Sequence, residues 1–395
     1  MRDISRNLST TIIGAARRFG SVVVTGPRRS GKTWLLRHLF PSASYYLFED
    51  PDIVGRFRAD PTGFLNGVRT PTILDEIQNV PELFNHIRSR IDAAPRHKGQ
   101  WLLTGSQESS LMRNVSESMA GRAAVLSLLP LSVTESPKVT LLSGGYPEAI
   151  AHPRSRNLWF SSYVQTYIER DVRGISVVHD LSLFRRFMAL LATRHGTTLN
   201  KSDLAAPLGV SVPSIGHWLN ILEMTGLIAL IPPYFNNLGK RLVKSPKLYW
   251  LDCGLVCHLL GIESEAQLAR SPFLGPVFEG FVAAEILKSQ INVGRRRELY
   301  YFRDQQGLEV DFVVPTSGGR VALIEAKATH SPNTSMAKPL IALSNAWAKA
   351  RIDSPLGDRL FVHRTSAKSA QLSSNALSPG VKAVGVVELI ETLKK

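Results

Sequence analysis

The sequence predicts an α/β protein with a phosphate-binding loop on a parallel sheet, a helical middle region and a second α/β region at the carboxyl end. Three observations support this prediction. A glycine-rich loop separates an apolar run from a stretch with helical spacing, residues 183–224 carry apolar residues at helical spacing, and residues 299–327 hold three strand-like segments. We expect three domains, at residues 1–135, 136–265 and 266–395.

Composition places the chain among soluble globular proteins. It has 395 residues, of which 44% are hydrophobic and 20% charged. No apolar run has membrane-spanning length and the amino terminus lacks the apolar core of a signal peptide, so we expect a cytoplasmic location without membrane contact. Cys253 and Cys257 lie in an apolar stretch and are expected to be core residues rather than disulfide or zinc ligands.

The charge balance is strongly basic. Lys and Arg number 47 against 32 Asp and Glu, which gives a formal net charge of +15. Such an excess favours a polyanionic partner, first nucleic acid and second an acidic membrane surface. A generally basic surface without a specific partner is an equally good reading of the charge alone.

The loop from Gly26 to Thr33 reads G-x-x-x-x-G-K-T and follows the apolar run 21–25. In this context backbone N–H groups and the next helix's amino terminus bind phosphates. Lys32 is expected to reach the β- and γ-phosphates and Thr33 to ligate Mg²⁺. Arg28 and Arg29 either contact phosphate or face solvent. The candidate nucleotide-binding residues of this segment are Gly26, Pro27, Arg28, Arg29, Ser30, Gly31, Lys32, Thr33 and Trp34.

A second strand is predicted at residues 44–48, and the next apolar strand, within residues 71–78, ends in the two carboxylates Asp75 and Glu76. This is the Walker B arrangement, and it begins 43 residues after Lys32. Asp75 is expected to hold Mg²⁺ through water, and Glu76 to orient the water that attacks the γ-phosphate. Both should lie at the carboxyl end of a strand next to the phosphate-binding-loop strand.

Two further strands follow, at residues 101–107 and 123–131, and the order now resembles that of the AAA+ ATPases. The resemblance implies ATP and Mg²⁺ as cofactors and a ring or at least a dimer. The usual sensor asparagine is absent, so Ser106 or Gln107 is expected to replace it. An arginine that neutralises the transition state is expected as well, often from a neighbouring subunit. Arg122 and Arg170 are the candidates, and a structural salt bridge is the alternative for each.

A narrower resemblance covers essentially the whole chain. The chain resembles a prokaryotic family in which an AAA+ core precedes a carboxyl-terminal domain of unknown function related to restriction-enzyme-type nucleases. The order of several short phrases carries this resemblance. These phrases are Leu74–Gln78, Leu103–Gln107, Ala120–Arg122, Gly144–Glu148 and Tyr163–Asp171.

The middle region has the pattern of a winged helix. A short helix at 203–208, a turn at Gly209 and a helix at 212–224 precede strands near 226–231 and 247–250. The second helix would enter a DNA groove while basic wing residues at 240–244 contact phosphate. The exposed positions expected on that helix include no arginine, so non-specific DNA contact is favoured over base readout, and a purely protein-binding role stays open.

The carboxyl-terminal region resembles the PD-(D/E)xK nuclease superfamily. Glu279 on a predicted amphipathic helix at 276–290, Asp311 on one strand, and Glu325 with Lys327 on the next match its pattern, with Glu285 as the weaker helix candidate. Asp311 and Glu325 would share a Mg²⁺ that activates water, and Lys327 would stabilise the phosphate. Residues 366–380 are predicted to be a surface loop. The domain either cuts nucleic acid or only grips it.

These observations together predict a cytoplasmic AAA+-type ATPase that couples hydrolysis to binding, remodelling or processing of DNA. The alternative is a nucleotide-dependent signalling switch whose winged helix and carboxyl-terminal domain bind protein. A third class, a Mg²⁺ nuclease gated by ATP, requires cleavage that Asp311→Ala abolishes.

Overall fold

The computed structural model shows an α/β protein with a parallel sheet, a helical middle region and a mixed sheet. The residues that it describes are 4–105, 118–167, 180–234, 244–350, 354–365 and 375–394.

The first sheet has the strand order β2-β3-β4-β1-β5, and all of its pairings are parallel. Apolar clusters cover both faces of this sheet, which explains the near-continuous hydrophobic character of its strands. The strands are β1 (Ser21–Thr25), β2 (Ser44–Leu47), β3 (Thr72–Asp75), β4 (Trp101–Thr104) and β5 (Ala123–Ser127). The expected adjacency of the Walker B and phosphate-binding-loop strands is wrong, because β4 lies between β3 and β1.

Helices connect these strands on both faces of the sheet. The amino-terminal helix is shorter than the predicted 1–20, and Asp50 and Asp60 cap α3 and α4 through their carboxylates. The helices are α1 (Ser9–Ala16), α2 (Lys32–Leu39), α3 (Pro51–Ala59), α4 (Pro61–Asn66) and α5 (Leu83–Ala93).

The middle region is mostly helical and carries a three-stranded antiparallel sheet of order β6-β8-β7. Asn200 caps α9, Gly209 has the left-handed φ of 66°, and Ser211 caps α10, so the predicted helix–turn–helix order is present. Residues 240–243 of the predicted basic wing lie outside the described residues. The elements are α6 (Pro147–Ala151), α7 (Arg156–Tyr167), α8 (Leu181–Ala192), β6 (Thr197–Thr198), α9 (Lys201–Leu208), α10 (Val212–Met224), β7 (Ile228–Ile231), β8 (Lys247–Trp250), α11 (Cys253–Leu259) and α12 (Glu265–Arg270).

The carboxyl-terminal region is a mixed sheet of order β13-β14-β12-β11-β10-β9 between helices. Helix α13 is buried on nearly all sides, so the expectation of an amphipathic helix is wrong; it packs between the middle region and the sheet. Strand β13 lies within the predicted surface loop. The elements are α13 (Leu274–Asn292), β9 (Tyr300–Arg303), β10 (Glu309–Pro315), β11 (Val321–Lys327), α14 (Lys338–Ala350), β12 (Leu356–His363), β13 (Asn375–Ser378), β14 (Val381–Val384) and α15 (Val386–Leu393).

One apolar cluster joins the middle and carboxyl-terminal regions. It extends from Leu129 to Ile390 and includes α13, one face of the mixed sheet and the helices of the middle region. Cys253 and Cys257 are buried in it, which confirms that they are core residues. Within the described stretches, no helix has the length and apolarity needed to cross a bilayer.

Candidate functional site

The phosphate-binding loop adopts a conformation that requires glycine at two positions. Gly26 has a φ of 136°, and an added Cβ there would lie 2.2 Å from the carbonyl oxygen of Leu128. Gly31 has a φ of 97° and caps the amino terminus of α2. Glycine adopts such angles without steric cost, so the loop can curl toward the helix end where anions bind.

The two candidate functional residues at the end of this loop, Lys32 and Thr33, lie at the start of α2. The Lys32 ammonium donates to the carbonyl oxygens of Gly26 at 3.1 Å and Pro27 at 3.0 Å. The Thr33 hydroxyl donates to Asp75 Oδ2 at 2.8 Å. Asp75 ends β3, and β4 lies between β3 and β1, the strand that leads into the loop. Adjacent strands are about 4.8 Å apart, so β1 and β3 are about two such spacings apart, and the first turn of α2 reaches across β4.

Asp75 is buried and held by two residues that the sequence analysis did not identify. The Tyr45 hydroxyl donates to its Oδ2 at 2.8 Å, and the Thr104 hydroxyl donates to its Oδ1. Burial and then this contact with Asp75 raise the pKa of Tyr45 well above its ordinary value, so the phenol remains a donor. Tyr45 and Thr104 come from neighbouring strands, and no local pattern marks them.

Glu76 occupies a strained backbone position at the end of β3. Its φ is 55°, and its carboxylate accepts a 2.6 Å hydrogen bond from the Gln78 amide. Among the residues that the structure describes, Arg29 and Glu76 are the two non-glycine residues with positive φ, and both line the same cavity. Strain of this kind concentrates at functional sites.

The cavity has a volume of about 860 Å³ and lies between the first and middle regions. The phosphate-binding loop, Glu49 and Glu76 form one wall, and residues of α6 and α7 form the other. Arg29 of the loop pairs with Glu148 of α6 at 3.3 Å, and Glu148 also accepts the Trp159 indole N–H at 2.7 Å. The volume falls within the range of ordinary small-molecule sites.

Arg6 holds the phosphate-binding loop in place through hydrogen bonds, and the sequence analysis does not identify it. It is buried and donates to the carbonyl oxygens of Ser30 at 2.8 Å and Leu129 at 2.6 Å. Its guanidinium also pairs with Glu135 at 3.0 Å. A guanidinium has five N–H donors in a rigid plane and can bond several acceptors at once. Arg6 therefore fixes the phosphate-binding loop to the segment that follows β5.

Of the sensor and arginine candidates, only Arg122 is among the residues that the structure describes. Ser106, Gln107 and Arg170 lie outside the described residues. Arg122 precedes β5 and pairs with Asp92 through 2.6 Å and 3.0 Å contacts. It lies at the amino end of the parallel strands, about 16 Å from the loop by strand length, so it does not reach phosphates bound in its own chain.

The three nuclease-like carboxylates, Glu279, Asp311 and Glu325, gather around two lysines, the predicted Lys327 and Lys247 of the middle region. Lys327 lies 2.6 Å from Glu325 and 3.5 Å from Asp311, and Asp311 also accepts the N–H of Ala326 at 2.9 Å. Glu279 contacts Lys247 instead, at 2.9 Å. Glu285, the weaker candidate, lies elsewhere and pairs with Lys288.

Burial and the mutual interaction of charges together set the pKa values of this cluster. Burial and then the charge of Asp311 raise the pKa of Glu279 to about 7 and the pKa of Glu325 to about 8. Burial alone would lower the pKa of Lys247, but the charges of Glu279, Asp311 and Glu309 raise it well above its ordinary value. Both lysines are therefore charged at neutral pH.

The cluster does not fit the Mg²⁺ site that the nuclease resemblance implies. One buried oxygen, Glu325 Oε2, has no hydrogen-bond partner among the described residues. A hard cation needs several converging oxygens, however. The residues that the structure describes include no group of three His, Cys, Asp or Glu side chains arranged to hold a metal ion.

The second helix of the helix–turn–helix, α10, presents a polar face. His217 and Asn220 are exposed, whereas Ser214 and Glu223 are half-buried. Lys244, at the end of the predicted wing, is exposed.

Three families match successive parts of the chain. The AAA domain matches residues 18–136, the domain of unknown function DUF8612 matches residues 135–266, and the domain of unknown function DUF4143 matches residues 274–374. Two curated relatives are uncharacterized protein Mb2031c of Mycobacterium bovis and uncharacterized protein Rv2008c of Mycobacterium tuberculosis. Each is 33% identical over 337 residues, which cover 84% of this chain and 75% of the relative.

Solved structures resemble the chain only in part. The Walker-type ATPase PABY2304 of Pyrococcus abyssi is 13% identical over 66% of this chain and 96% of its own, with a TM-score of 0.44. AMPPCP-bound DnaA from Aquifex aeolicus is 14% identical over 55% and 85%, with a TM-score of 0.27. Likeness of this extent establishes nothing about activity.

Proposed function

This chain belongs to the family of the two mycobacterial proteins and carries an AAA domain of the AAA+ ATPase type, and on that premise we propose that it hydrolyses ATP to bind and remodel or process DNA. The observation that carries the ATPase part is the convergence of Lys32, Thr33, Asp75 and Glu76. Three of them line the 860 Å³ cavity, and Asp75 is hydrogen-bonded to Thr33 at 2.8 Å.

The proposed chemistry divides among these residues by position. Lys32 is close to the loop carbonyls and would exchange them for the β- and γ-phosphate oxygens. The Thr33 hydroxyl and the Asp75 carboxylate are hard oxygen donors and would hold Mg²⁺. The metal would neutralise charge that develops on the phosphates.

Glu76 is the proposed base that orients the attacking water. It follows Asp75 directly, lines the cavity and is aimed there by a left-handed backbone turn. Its hydrogen bond from Gln78 fixes the carboxylate while leaving its other oxygen to accept a proton.

DNA is the proposed partner because of charge and of the helix–turn–helix order in the middle region. The net charge of +15 favours a polyanion, and exposed Lys244 follows the two helices. The exposed His217 and Asn220 of α10 include no arginine, which favours contact with the DNA backbone over base readout.

A self-assembly of this chain is part of the proposal. Arg122 is too far from the loop to act on its own nucleotide, but it lies on the surface, where a neighbouring copy could use it. An arginine supplied by a neighbour would neutralise transition-state charge.

The test is the rate of ATP hydrolysis by the full chain with single-stranded, duplex and branched DNA, with Glu76→Gln as the control. We expect one DNA form to stimulate turnover, the stimulation to fall steeply with salt, and Glu76→Gln to lower turnover at least about 100-fold while ATP still binds. Turnover that depends on Glu76 but ignores every DNA form would refute the DNA proposal and favour a nucleotide-dependent switch for a protein partner.

A further inference from the structure

Lys247 is an unusual residue for its position. It begins β8 in the small sheet of the middle region, yet its side chain is only 3% exposed and enters the carboxylate cluster of the carboxyl-terminal region. A lysine is almost never this buried unless its charge is paired.

The Lys247 ammonium lies among three carboxylates. Its Nζ is 2.9 Å from Glu279, 2.5 Å from Glu309 and 3.8 Å from Asp311. The Tyr249 hydroxyl, from the same strand, donates to the same Glu279 oxygen at 2.5 Å. An ammonium offers three rotatable donors on a compact charge, so it can satisfy carboxylates that converge from different elements.

We propose that the ammonium of Lys247 takes the place of a divalent cation in this nuclease-like cluster, so that the cluster binds no catalytic metal and acts as an ionic junction between the middle and carboxyl-terminal sheets. The proposal concerns the contact between the middle and carboxyl-terminal regions and is independent of the ATPase.

Charge balance supports this exclusion. Three resident cations, Lys247, Lys327 and Arg303, offset the charge of three of the four carboxylates Glu279, Glu309, Asp311 and Glu325. A Mg²⁺ on Asp311 and Glu325 would lie within a few ångströms of two ammonium groups, where like-charge repulsion is strong in a buried site. The resident cations therefore leave little net negative charge to attract the metal.

The backbone around Lys247 supports the role as a junction. The N–H of Tyr234 donates to the Tyr301 carbonyl at 2.7 Å, and the N–H of Tyr301 donates to the Pro232 carbonyl at 3.2 Å. The Tyr301 hydroxyl donates to the Ser245 carbonyl, two residues before Lys247. The exit from β7 and the entry to β8 thus contact β9 directly, beside the carboxylates that Lys247 bridges.

The experiment measures Mn²⁺ binding to the full chain by electron paramagnetic resonance, without nucleotide and in an Asp75→Asn background that removes the Walker site. We expect no bound Mn²⁺ at about 1 mM metal in that background. Adding Lys247→Met should create one Mn²⁺ site, with an affinity for Mn²⁺ at least about tenfold above that of the Asp75→Asn chain. A further Asp311→Asn should abolish this site. Lys382→Met, which removes an exposed lysine paired with Asp358, is the matched control and should create no site.

Two results would contradict the proposal. Mn²⁺ bound in the Asp75→Asn background and lost with Asp311→Asn would overturn the proposal, as would a folded Lys247→Met chain that gains no site. If circular dichroism shows that Lys247→Met does not fold, the comparison of Asp75→Asn with and without Asp311→Asn still decides whether the native cluster binds a divalent cation.

Discussion

Arg29 of the phosphate-binding loop and Glu148 of helix α6 form an ion pair at 3.3 Å across the mouth of the nucleotide cavity. The pair joins the predicted phosphate-binding loop to the middle region, and Glu148 also accepts a hydrogen bond from the Trp159 indole. Because a nucleotide phosphate and the Glu148 carboxylate would both attract the Arg29 guanidinium, we expect nucleotide binding and the position of α6 to be linked.

Glu148→Gln should strengthen ATP binding. The substitution removes a negative charge beside the phosphates and frees Arg29, while the glutamine oxygen still accepts the Trp159 N–H. Exposed ion pairs contribute up to about 1 kcal/mol, so the dissociation constant of ATP should fall about two- to fivefold. Calorimetry measures this, and in an Arg29→Ala background the gain should shrink. Unchanged or weaker binding would show that the pair does not compete with phosphate.

Thr104→Val should impair ATP turnover through Asp75. Valine has nearly the same shape but leaves Asp75 Oδ1 without the hydroxyl that now bonds it. An unsatisfied buried acceptor costs about 1–3 kcal/mol, and if this cost falls on the transition state the hydrolysis rate should fall about 5- to 150-fold. Thr72→Val on β3 is the matched control, because that hydroxyl bonds only the Ser44 carbonyl, at 3.3 Å. Equal effects of the two substitutions would contradict the role given to Thr104.

The sequence allowed the local features to be predicted closely. Strands β1, β8 and β11 and helix α10 have the expected bounds, because an apolar period and a capping or turn residue suffice to define each. The same holds for the loop that carries Lys32, whose motif includes its own strand and helix. The parallel sheet that carries the phosphate-binding loop and the α/β character of the carboxyl-terminal region are confirmed.

Contacts between distant segments could not be predicted. Arg6, Thr104 and Lys247 each act on residues from other elements, and nothing near them in sequence marks their partners. The place of β4 between β1 and β3 is likewise a property of the whole sheet. The sequence predicts an amphipathic helix at 276–290 because charged residues are ordinarily exposed, whereas Glu279 and Glu285 of α13 are each paired with a lysine.

His195 should make the protein less stable in acid. Burial lowers the pKa of its imidazole to about 3, whereas an unfolded histidine titrates near 6.5. The unfolded chain therefore binds the extra proton below pH 6.5, and the stabilisation present above that pH is lost by about 1.4 kcal/mol per pH unit as the pH falls toward 3.

Urea unfolding between pH 7 and pH 5 measures this loss. His195→Gln cannot titrate and should flatten the slope even if it lowers stability at every pH. His97→Gln, at an exposed position, is the control and should leave the slope as it is in the unmodified chain. An unchanged slope in His195→Gln would assign the acid sensitivity to other groups.

Gly280→Ala and Gly275→Ala should have opposite effects, although both lie in helix α13. Nothing lies within 4 Å of a Cβ added at Gly275, so alanine there should stabilise the helix by up to about 1 kcal/mol. A Cβ at Gly280 would lie 1.8 Å from Nε2 of His195, which is buried and fixed by the Trp250 N–H at 3.1 Å. Forcing that ring aside should cost about 1–3 kcal/mol. Thermal unfolding of the two variants gives the sign directly, and a shift in the same direction for both would mean that the His195 ring can move aside at little cost.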